Sequence, residues 1–346
     1  MTKRHTLQLM SVRRYRTQEV AGSSPASSTP NPHLCCDWRN LVIVGTAWQG
    51  RLAGPYLRHA AMRRRTVQAV VVCAVGAAWL ASLTLGATGR VSTPPQSYYL
   101  ALGDSIAYGF QPAKANAGLP PSRFNTGYVD VFAARLRTIA PKIRVVNYAC
   151  PGESTKTFIH GGCSGRRDVK GLHDAFTGAQ LDAALTFLRA HRGQVSPITL
   201  SLFGNDLFEL LDTCKGDFAC ARARAPRAFA QFASRLTSIL KRLRAASPKA
   251  EIILTGGWNF NVANLRLTDP LFRSLETTIG RVATGAKARF ADTFPVFNPQ
   301  GSIAREKARI CALTFACSQG DPHPTDAGYR AIAAVVLAAS GYKHRS

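Results

Sequence analysis

Short apolar runs alternate with longer amphipathic segments from residue 97 towards the C-terminus. The runs are almost wholly apolar, which is typical of parallel strands buried on both faces of a sheet. They predict strands within YYLAL at 98–102, IRVVNYA at 143–149, ITLSLF at 198–203, EIILTGG at 251–257 and ARFADTF at 288–294. Segments with apolar residues at three- and four-residue spacing predict helices over 127–140, 179–192, 224–246, 269–286 and 324–340.

This alternation predicts an α/β fold over residues 97–341, a three-layer α/β/α domain with a five-stranded, mostly parallel sheet. Ligands of such sheets bind beyond the carboxyl ends of the strands. The polar residues that directly follow each predicted strand are therefore the first candidates for function.

The chain ahead of this domain has a different composition. Residues 1–61 lack sustained periodicity and contain a Ser/Pro-rich run, which predicts disorder. From Met62, three arginines precede about twenty uncharged, mostly apolar residues, the pattern of a secretory signal. A signal belongs at an N-terminus, so we expect translation to begin at Met62 and residues 1–61 to be a misassigned extension. The alternative is a cytoplasmic tail ahead of one membrane helix, because the apolar stretch could span a bilayer. The segment 62–89 predicts a domain outside the cytoplasm, either secreted or membrane-anchored.

The formal net charge of +25 is scattered along the chain rather than clustered. No zinc-finger or RNA-binding signature accompanies it, so we expect no nucleic-acid partner. A basic exported domain suits an acidic cell surface or anionic lipid, which leaves membrane or surface association open. We expect a monomer.

Six cysteines follow the signal segment, and an even number in an exported chain indicates disulfides. Their spacing favours three local pairs, namely Cys150–Cys163, Cys214–Cys220 and Cys311–Cys317. Zinc ligation is the alternative, but the spacings lack the Cys-x2-Cys form of structural zinc sites. We expect no metal and no cofactor.

Four polar clusters lie at the predicted strand ends or just before the last helix. Each alone is typical of a turn or a helix cap, but the predicted topology brings all four to one edge of the sheet. They are Gly103-Asp104-Ser105, CPGES at 150–154, GND at 204–206 and DPHPTDAGY at 321–329.

In this order the clusters resemble those of the GDSL-type esterases and lipases, also called SGNH hydrolases, over about residues 98–340. The resemblance implies a flavodoxin-like sheet and ester hydrolysis through a serine. It implies that Ser105 is the nucleophile, that His323 is the base, and that Gly152 and Asn205 join the Ser105 backbone N–H as oxyanion donors. The residue types suit this chemistry, because a histidine titrates near neutral pH and a neutral amide can donate to an oxyanion.

The acid that would orient His323 departs from the family pattern, which is commonly Asp-x-x-His. Gly320 stands three residues before His323, and the nearest carboxylate is Asp321, two residues before it. We take Asp321 as the orienting acid. A backbone carbonyl near Gly320, which would make a Ser–His dyad, and Asp292 are the alternatives. A second departure is Phe203, which stands where the family commonly has a glycine.

These observations favour an exported serine hydrolase that cleaves carboxylic esters, with an ester of lipid or acylated glycan as substrate. A carbohydrate esterase that deacetylates polysaccharide is the close alternative. The alternative from another class is a non-catalytic surface protein that binds lipid or glycan. An apolar wall near Tyr108 and Phe110 favours acyl chains, although core packing would explain these two aromatics equally well.

Overall fold

The computed structural model describes residues 93–342, and the predicted extension 1–61 and signal segment 62–89 lie outside this range. Its strands form one sheet in which all neighbouring strands are parallel, in the order β2-β1-β3-β4-β5. The strands are β1 (Tyr98–Gly103), β2 (Arg144–Asn147), β3 (Val195–Ser201), β4 (Ile252–Thr255) and β5 (Arg289–Ala291). This is the flavodoxin-like order, and the predicted fold class is confirmed.

Twelve α-helices lie in the described range. They are α1 (Ser105–Tyr108), α2 (Pro112–Asn116), α3 (Tyr128–Arg137), α4 (Thr155–His160), α5 (Gln180–Ala190), α6 (Gly204–Thr213), α7 (Phe218–Ala246), α8 (Leu265–Gly285), α9 (Phe294–Phe297), α10 (Ile303–Leu313), α11 (Ala316–Gln319) and α12 (Asp326–Ser340). Two 3₁₀-helices, Pro121–Arg123 and Ser164–Asp168, lie in the connections. No helix within residues 93–342 combines the length and apolar composition needed to cross a membrane.

The helices form the two outer layers. The crossover helix α7 packs against both α5 and α8, and α12 packs against α3. The residues of β1, β3 and β4 are buried throughout, as their apolar sequences require. The chain leaves β1 in one direction to form β2 and then crosses back to form β3. The carboxyl ends of β1 and β3 therefore flank the switch point at which sheets of this type bind ligands.

Two helices begin earlier than the sequence pattern predicts. The predicted start was residue 224, but α7 begins at Phe218, where Asp217 accepts the Ala219 N–H at 2.8 Å. The predicted start of 269 likewise falls inside α8, which begins at Leu265. Each helix therefore includes a proline, Pro226 or Pro270, which cannot donate a backbone hydrogen bond to the preceding turn.

The six cysteines form three disulfides, paired as their spacing predicts. The Cα–Cα distances are 6.3 Å for Cys150–Cys163, 5.7 Å for Cys214–Cys220 and 5.2 Å for Cys311–Cys317. The first holds the loop after β2, the second joins α6 to α7, and the third joins α10 to α11.

Candidate active site

Ser105 lies at the point where β1 turns directly into α1. Gly103 adopts φ = 127°, and a Cβ atom there would lie 2.1 Å from the Ser201 carbonyl oxygen, so only glycine fits at this close approach to β3. Asp104 caps α1 by accepting the Ile106 N–H at 3.0 Å. Glycine for the turn, aspartate for the cap and serine as the first helical residue together explain the Gly-Asp-Ser sequence.

Asp104 is buried and is tied to the neighbouring strand as well as to its own helix. It accepts the Ser201 hydroxyl at 3.1 Å. Burial raises the pKa of Asp104 to about 7, although the hydrogen bonds from Ile106 and Ser201 and the nearby His323 favour the carboxylate. The turn that carries Ser105 therefore contains a carboxyl group that titrates near neutral pH.

His323 connects Ser105 to Asp321. The Ser105 Oγ lies 2.9 Å from the His323 Nε2, and the Asp321 Oδ1 lies 2.7 Å from the His323 Nδ1. The same Oδ1 accepts the His323 backbone N–H at 2.9 Å. Because Nδ1–H donates to the carboxylate, Nε2 is left as the acceptor for the serine proton. Burial alone would raise the pKa of Asp321, but its hydrogen bonds with His323 and the charge of that ring outweigh burial and lower it.

The loop that carries His323 is fixed by α10 and α11. The Phe315 N–H donates to the His323 carbonyl at 3.0 Å, and the Thr325 N–H donates to the Leu313 carbonyl at 2.9 Å. The imidazole lies against the Phe110 ring, with 4.6 Å between the ring centroids. His323 is therefore held from both its backbone and its ring.

The two alternatives for the acid do not occupy this position. Asp292 accepts the Phe294 N–H at 3.1 Å and interacts with Glu276. Gly320 has φ = 68° and ends α11 in the left-handed conformation. The group that accepts from the His323 Nδ1 is the Asp321 carboxylate.

The three predicted oxyanion donors surround the Ser105 side of the cavity. Gly152 has φ = 78°, and a Cβ atom there would lie 2.5 Å from the Ser164 Oγ, so glycine is required. The Asn205 Nδ2 donates one hydrogen to the Glu153 carbonyl at 2.9 Å, which leaves its second hydrogen for another acceptor. The backbone N–H groups of Ser105 and Gly152 donate to no acceptor in the described part of the chain.

Asp206 fastens the start of α6 to α4 and α7. It accepts the Thr155 N–H at 2.8 Å and forms an ion pair with Arg235 at 3.1 Å. Arg235 also donates to the Thr155 hydroxyl at 2.7 Å. This network lies directly beside Asn205 and fixes the backbone from which its amide projects. Phe203, the departure from the family pattern, precedes α6 without displacing Asn205.

A cavity of about 260 Å³ opens beside Ser105 and His323. Its lining contains both apolar and polar residues. The apolar residues are Ile106, Phe110, Phe203, Phe208, Trp258, Phe260 and the prolines 151 and 322. The polar lining residues outside the Ser105–His323 pair and the oxyanion donors include Ser164 and Asp168.

The proposed apolar wall is correct for Phe110 and wrong for Tyr108. The Tyr108 ring is fully buried against Phe124, and its hydroxyl donates to the Gly171 carbonyl at 2.9 Å. Core packing therefore accounts for Tyr108, whereas Phe110 lines the cavity beside His323.

Sequence reasoning missed most of the aromatic wall. Trp258 and Phe260 lie in the loop after β4, and Trp258 stacks on Phe297 with 4.3 Å between centroids. The rings of Phe208 and Phe260 are in contact, with 5.5 Å between their centroids. The position of Trp258 and Phe260 in the sequence could have revealed them, because the GGWNF segment at 256–260 follows a strand at the same sheet edge as the four polar clusters.

The zinc alternative finds no support among the described residues. The one group of three possible ligands found there comprises Cys150, Glu153 and Cys163. Its two cysteines are joined in a disulfide, which removes the thiolates that a metal would require.

Comparisons with known proteins identify a family. Residues 101–331 match the family described as the GDSL-like Lipase/Acylhydrolase family. No curated protein matches the chain.

Several solved structures are similar to this chain. They include phospholipase A1 from Streptomyces albidoflavus NA297, with 19% identity, a TM-score of 0.48, and coverage of 70% of this chain and 99% of that chain. The extracellular lipase from Streptomyces rimosus has 16% identity, a TM-score of 0.49, and coverage of 70% and 99%. An acetylxylan esterase from Geobacillus stearothermophilus has 17% identity, a TM-score of 0.45, and coverage of 73% and 98%.

Proposed function

Because this chain belongs to the GDSL-like Lipase/Acylhydrolase family, we propose that it hydrolyses carboxylic esters with Ser105 as the nucleophile. The observation that carries this proposal is the hydrogen-bonded series Ser105–His323–Asp321, with contacts of 2.9 and 2.7 Å at the edge of an apolar cavity. Nucleophile, base and orienting acid stand in the relation that serine hydrolysis requires.

In the proposed reaction, the Ser105 Oγ attacks the ester carbonyl carbon while its proton passes to the His323 Nε2. The carbonyl oxygen becomes an oxyanion, which accepts from the N–H groups of Ser105 and Gly152 and from the Asn205 amide. Collapse of this intermediate breaks the bond to the alcohol, which leaves with the proton held by His323. Water then repeats the sequence on the acyl-serine and releases the carboxylic acid. Asp321 stabilises the imidazolium formed in each half.

For the substrate, we propose an ester with an apolar acyl chain. The aromatic rings of Phe203, Phe208, Trp258 and Phe260 line the cavity, and contact with them would remove an acyl chain from water. Each methylene that leaves water contributes ~0.8 kcal/mol, or roughly fourfold in kcat/KM, until the pocket is filled.

The alternative, removal of acetyl groups from a glycan, is favoured by the polar residues of the cavity lining. Asp168 is exposed and lines the cavity with Ser164, so it could accept hydrogen bonds from sugar hydroxyls. A panel of p-nitrophenyl esters from acetate to dodecanoate, set against acetylated xylose oligomers, separates the two. We expect kcat/KM to rise from acetate towards medium chains, whereas a preference for acetylated oligomers would favour the glycan substrate.

A pair of variants tests whether the aromatic side holds the acyl chain. Phe208→Ala removes one aromatic side chain of the cavity lining and is expected to weaken the dependence of kcat/KM on acyl-chain length. Leu267→Ala is the matched control, because Leu267 is an apolar side chain that is 50% exposed and does not line the cavity. An unchanged chain-length dependence in Phe208→Ala would place the acyl chain elsewhere.

The catalytic assignment is tested with Ser105→Ala. The purified variant should fold as the parent does and lose p-nitrophenyl ester hydrolysis, because no other group takes the place of the Ser105 hydroxyl. Unchanged turnover would remove Ser105 from the mechanism.

We also propose that the domain works outside the cytoplasm. Support comes from the arginine-led apolar segment 62–89 and from three disulfides, which persist in oxidising compartments. Mass spectrometry of N-terminal peptides from culture medium and membranes distinguishes a cleaved signal from an anchor. Recovery of the protein only in the cytosol would contradict export.

A further inference from the structure

The Gln180 side chain is fully buried and makes three hydrogen bonds at the back of the active site. Its Oε1 accepts the Gly103 N–H at 2.7 Å, and its Nε2 donates to the Gly103 carbonyl at 2.9 Å. The Nε2 also donates to the Glu153 Oε2 at 2.8 Å. Both amide hydrogens are thus used, and neither Gln180 nor Glu153 lines the cavity.

The position of Gln180 follows from the lengths of the strands. On one side, β1 stays paired with β3 as far as Gly103, opposite Ser201. On the other side, β2 ends at Asn147, opposite Ala101. Beyond that point the Cys150 N–H still donates to the Gly103 carbonyl at 2.9 Å, but the Gly103 N–H is accepted by a side chain, the Gln180 Oε1. A buried N–H without an acceptor is costly. The Gln180 amide thus supplies the acceptor that β2 no longer offers, two residues before Ser105.

Glu153 extends this hydrogen-bond series from Gln180 to the proposed oxyanion donors. Its side chain, buried like that of Gln180, accepts from the Gln180 amide, and its backbone carbonyl accepts from the Asn205 Nδ2 at 2.9 Å. It directly follows Gly152 in the chain. The strand end that leads to Ser105 and the two donors beyond it are therefore joined through one glutamine and one glutamate.

We propose that Gln180 is a positioning residue that acts through Gly103 and Glu153 to fix the Ser105 turn relative to the donors of Gly152 and Asn205. This inference rests on the proposed function, since it concerns the geometry of the same reaction. Displacement of a reacting group by about 1 Å can cost about a hundredfold in rate. Gln180 never touches substrate, so its loss should lower kcat and leave KM nearly unchanged.

The variant for the test is Gln180→Met, which keeps similar bulk and removes all three hydrogen bonds. We expect kcat for p-nitrophenyl esters to fall about ten- to a hundredfold, with KM within about threefold of the parent. Tyr99→Phe is the matched control. It also removes a buried hydrogen bond made by a β1 residue, between the Tyr99 and Thr199 hydroxyls at 2.8 Å, but at a site away from the cavity. It should lower the melting temperature and keep kcat.

A double-mutant cycle with Asn205→Ala separates positioning from general destabilisation. If Gln180 acts through the oxyanion donors, its effect on kcat should shrink when Asn205 is already absent, because coupled residues are not additive. Glu153 offers a second route should Gln180→Met fail to fold. Glu153→Gln keeps an acceptor for the Gln180 amide and should retain most activity, whereas Glu153→Leu should lose it.

Two results would overturn the inference. One is a Gln180→Met protein whose kcat stays within threefold of the parent, and the other is a kcat loss equal to that of Tyr99→Phe. If Gln180→Met does not fold, equal activity in Glu153→Gln and Glu153→Leu overturns it as well. Failure of the proposed function looks different, because the parent protein itself would then show no ester turnover and no dependence on Ser105.

Discussion

Asp321 holds His323 with a single oxygen, although only Pro322 separates the two residues. The Asp321 Oδ1 lies 2.7 Å from the ring Nδ1 and 2.9 Å from the His323 backbone nitrogen. One acceptor therefore fixes both the ring and the backbone of the same residue. The shorter spacing than Asp-x-x-His works because the loop turns back on itself after Gly320, which adopts the left-handed conformation.

This relationship predicts a large effect from Asp321→Asn. An asparagine can donate to Nδ1 instead of accepting from it, which favours the tautomer that cannot take the serine proton. We expect kcat to fall by about three to four orders of magnitude, with the folded structure kept. Steady-state kinetics beside circular dichroism make the test. A folded variant that keeps most of its activity would instead favour a dyad supported by a backbone carbonyl.

In the proposed reaction the Asn205 amide donates to charge that develops only in the transition state, so Asn205→Ala should lower kcat by ~10²–10³ with little change in KM. Asn205→Asp is the sharper companion, because it keeps the shape of the side chain and replaces the donor with an acceptor. It should be at least as impaired as the alanine variant. A larger effect on KM than on kcat would argue that Asn205 binds the ground state.

The Cys150–Cys163 disulfide should matter for activity as well as stability. It joins two cysteines that are 13 positions apart in the sequence and closes a loop that contains Gly152, so its removal should loosen one of the proposed oxyanion donors. The double variant Cys150→Ser/Cys163→Ser should lose about 3 kcal/mol of unfolding free energy in the chain-entropy account, together with much of its kcat.

The matched control for this disulfide is Cys214→Ser/Cys220→Ser. That bond closes a loop of 6 residues and does not line the cavity, so its loss should lower stability and spare kcat at temperatures where the protein remains folded. Equal losses of kcat in the two double variants would show that the first disulfide acts only through global stability.

Stability should fall as pH rises towards neutrality. Burial raises the pKa of Glu153 from 4.5 to about 7 and that of Asp104 from 3.8 to about 7. Between about pH 4 and 7 these two carboxyl groups bind more protons in the folded state than in the unfolded state. The stability that they contribute below about pH 4 is therefore lost as the pH rises through about 7. Melting temperatures from pH 4.5 to 8 should show this decline, and Glu153→Gln should reduce its slope. An identical slope in that variant would mean that Glu153 does not titrate in this window.

The strand ends could be predicted from the sequence because the local backbone conformation at each end requires particular residues. Gly103 and Gly152 meet backbone conformations that only glycine tolerates well, and the strands before them are plainly apolar. The contact from Asp321 to His323 was less certain, since it depends on the turn at Gly320. The role of Gln180 could not be predicted from the sequence, because its contacts with Gly103 and Glu153 arise only where β2 ends before β1 does.

A fluorophosphonate probe reports whether Ser105 is a nucleophile activated by His323, as we propose. Intact mass spectrometry and peptide mapping of the purified domain should show one covalent adduct, placed on Ser105. Labelling should be absent in Ser105→Ala and greatly slowed in His323→Ala. A folded parent protein that takes up no probe, or takes it up on another residue, would exclude Ser105 as the nucleophile and favour a binding protein built on a hydrolase fold.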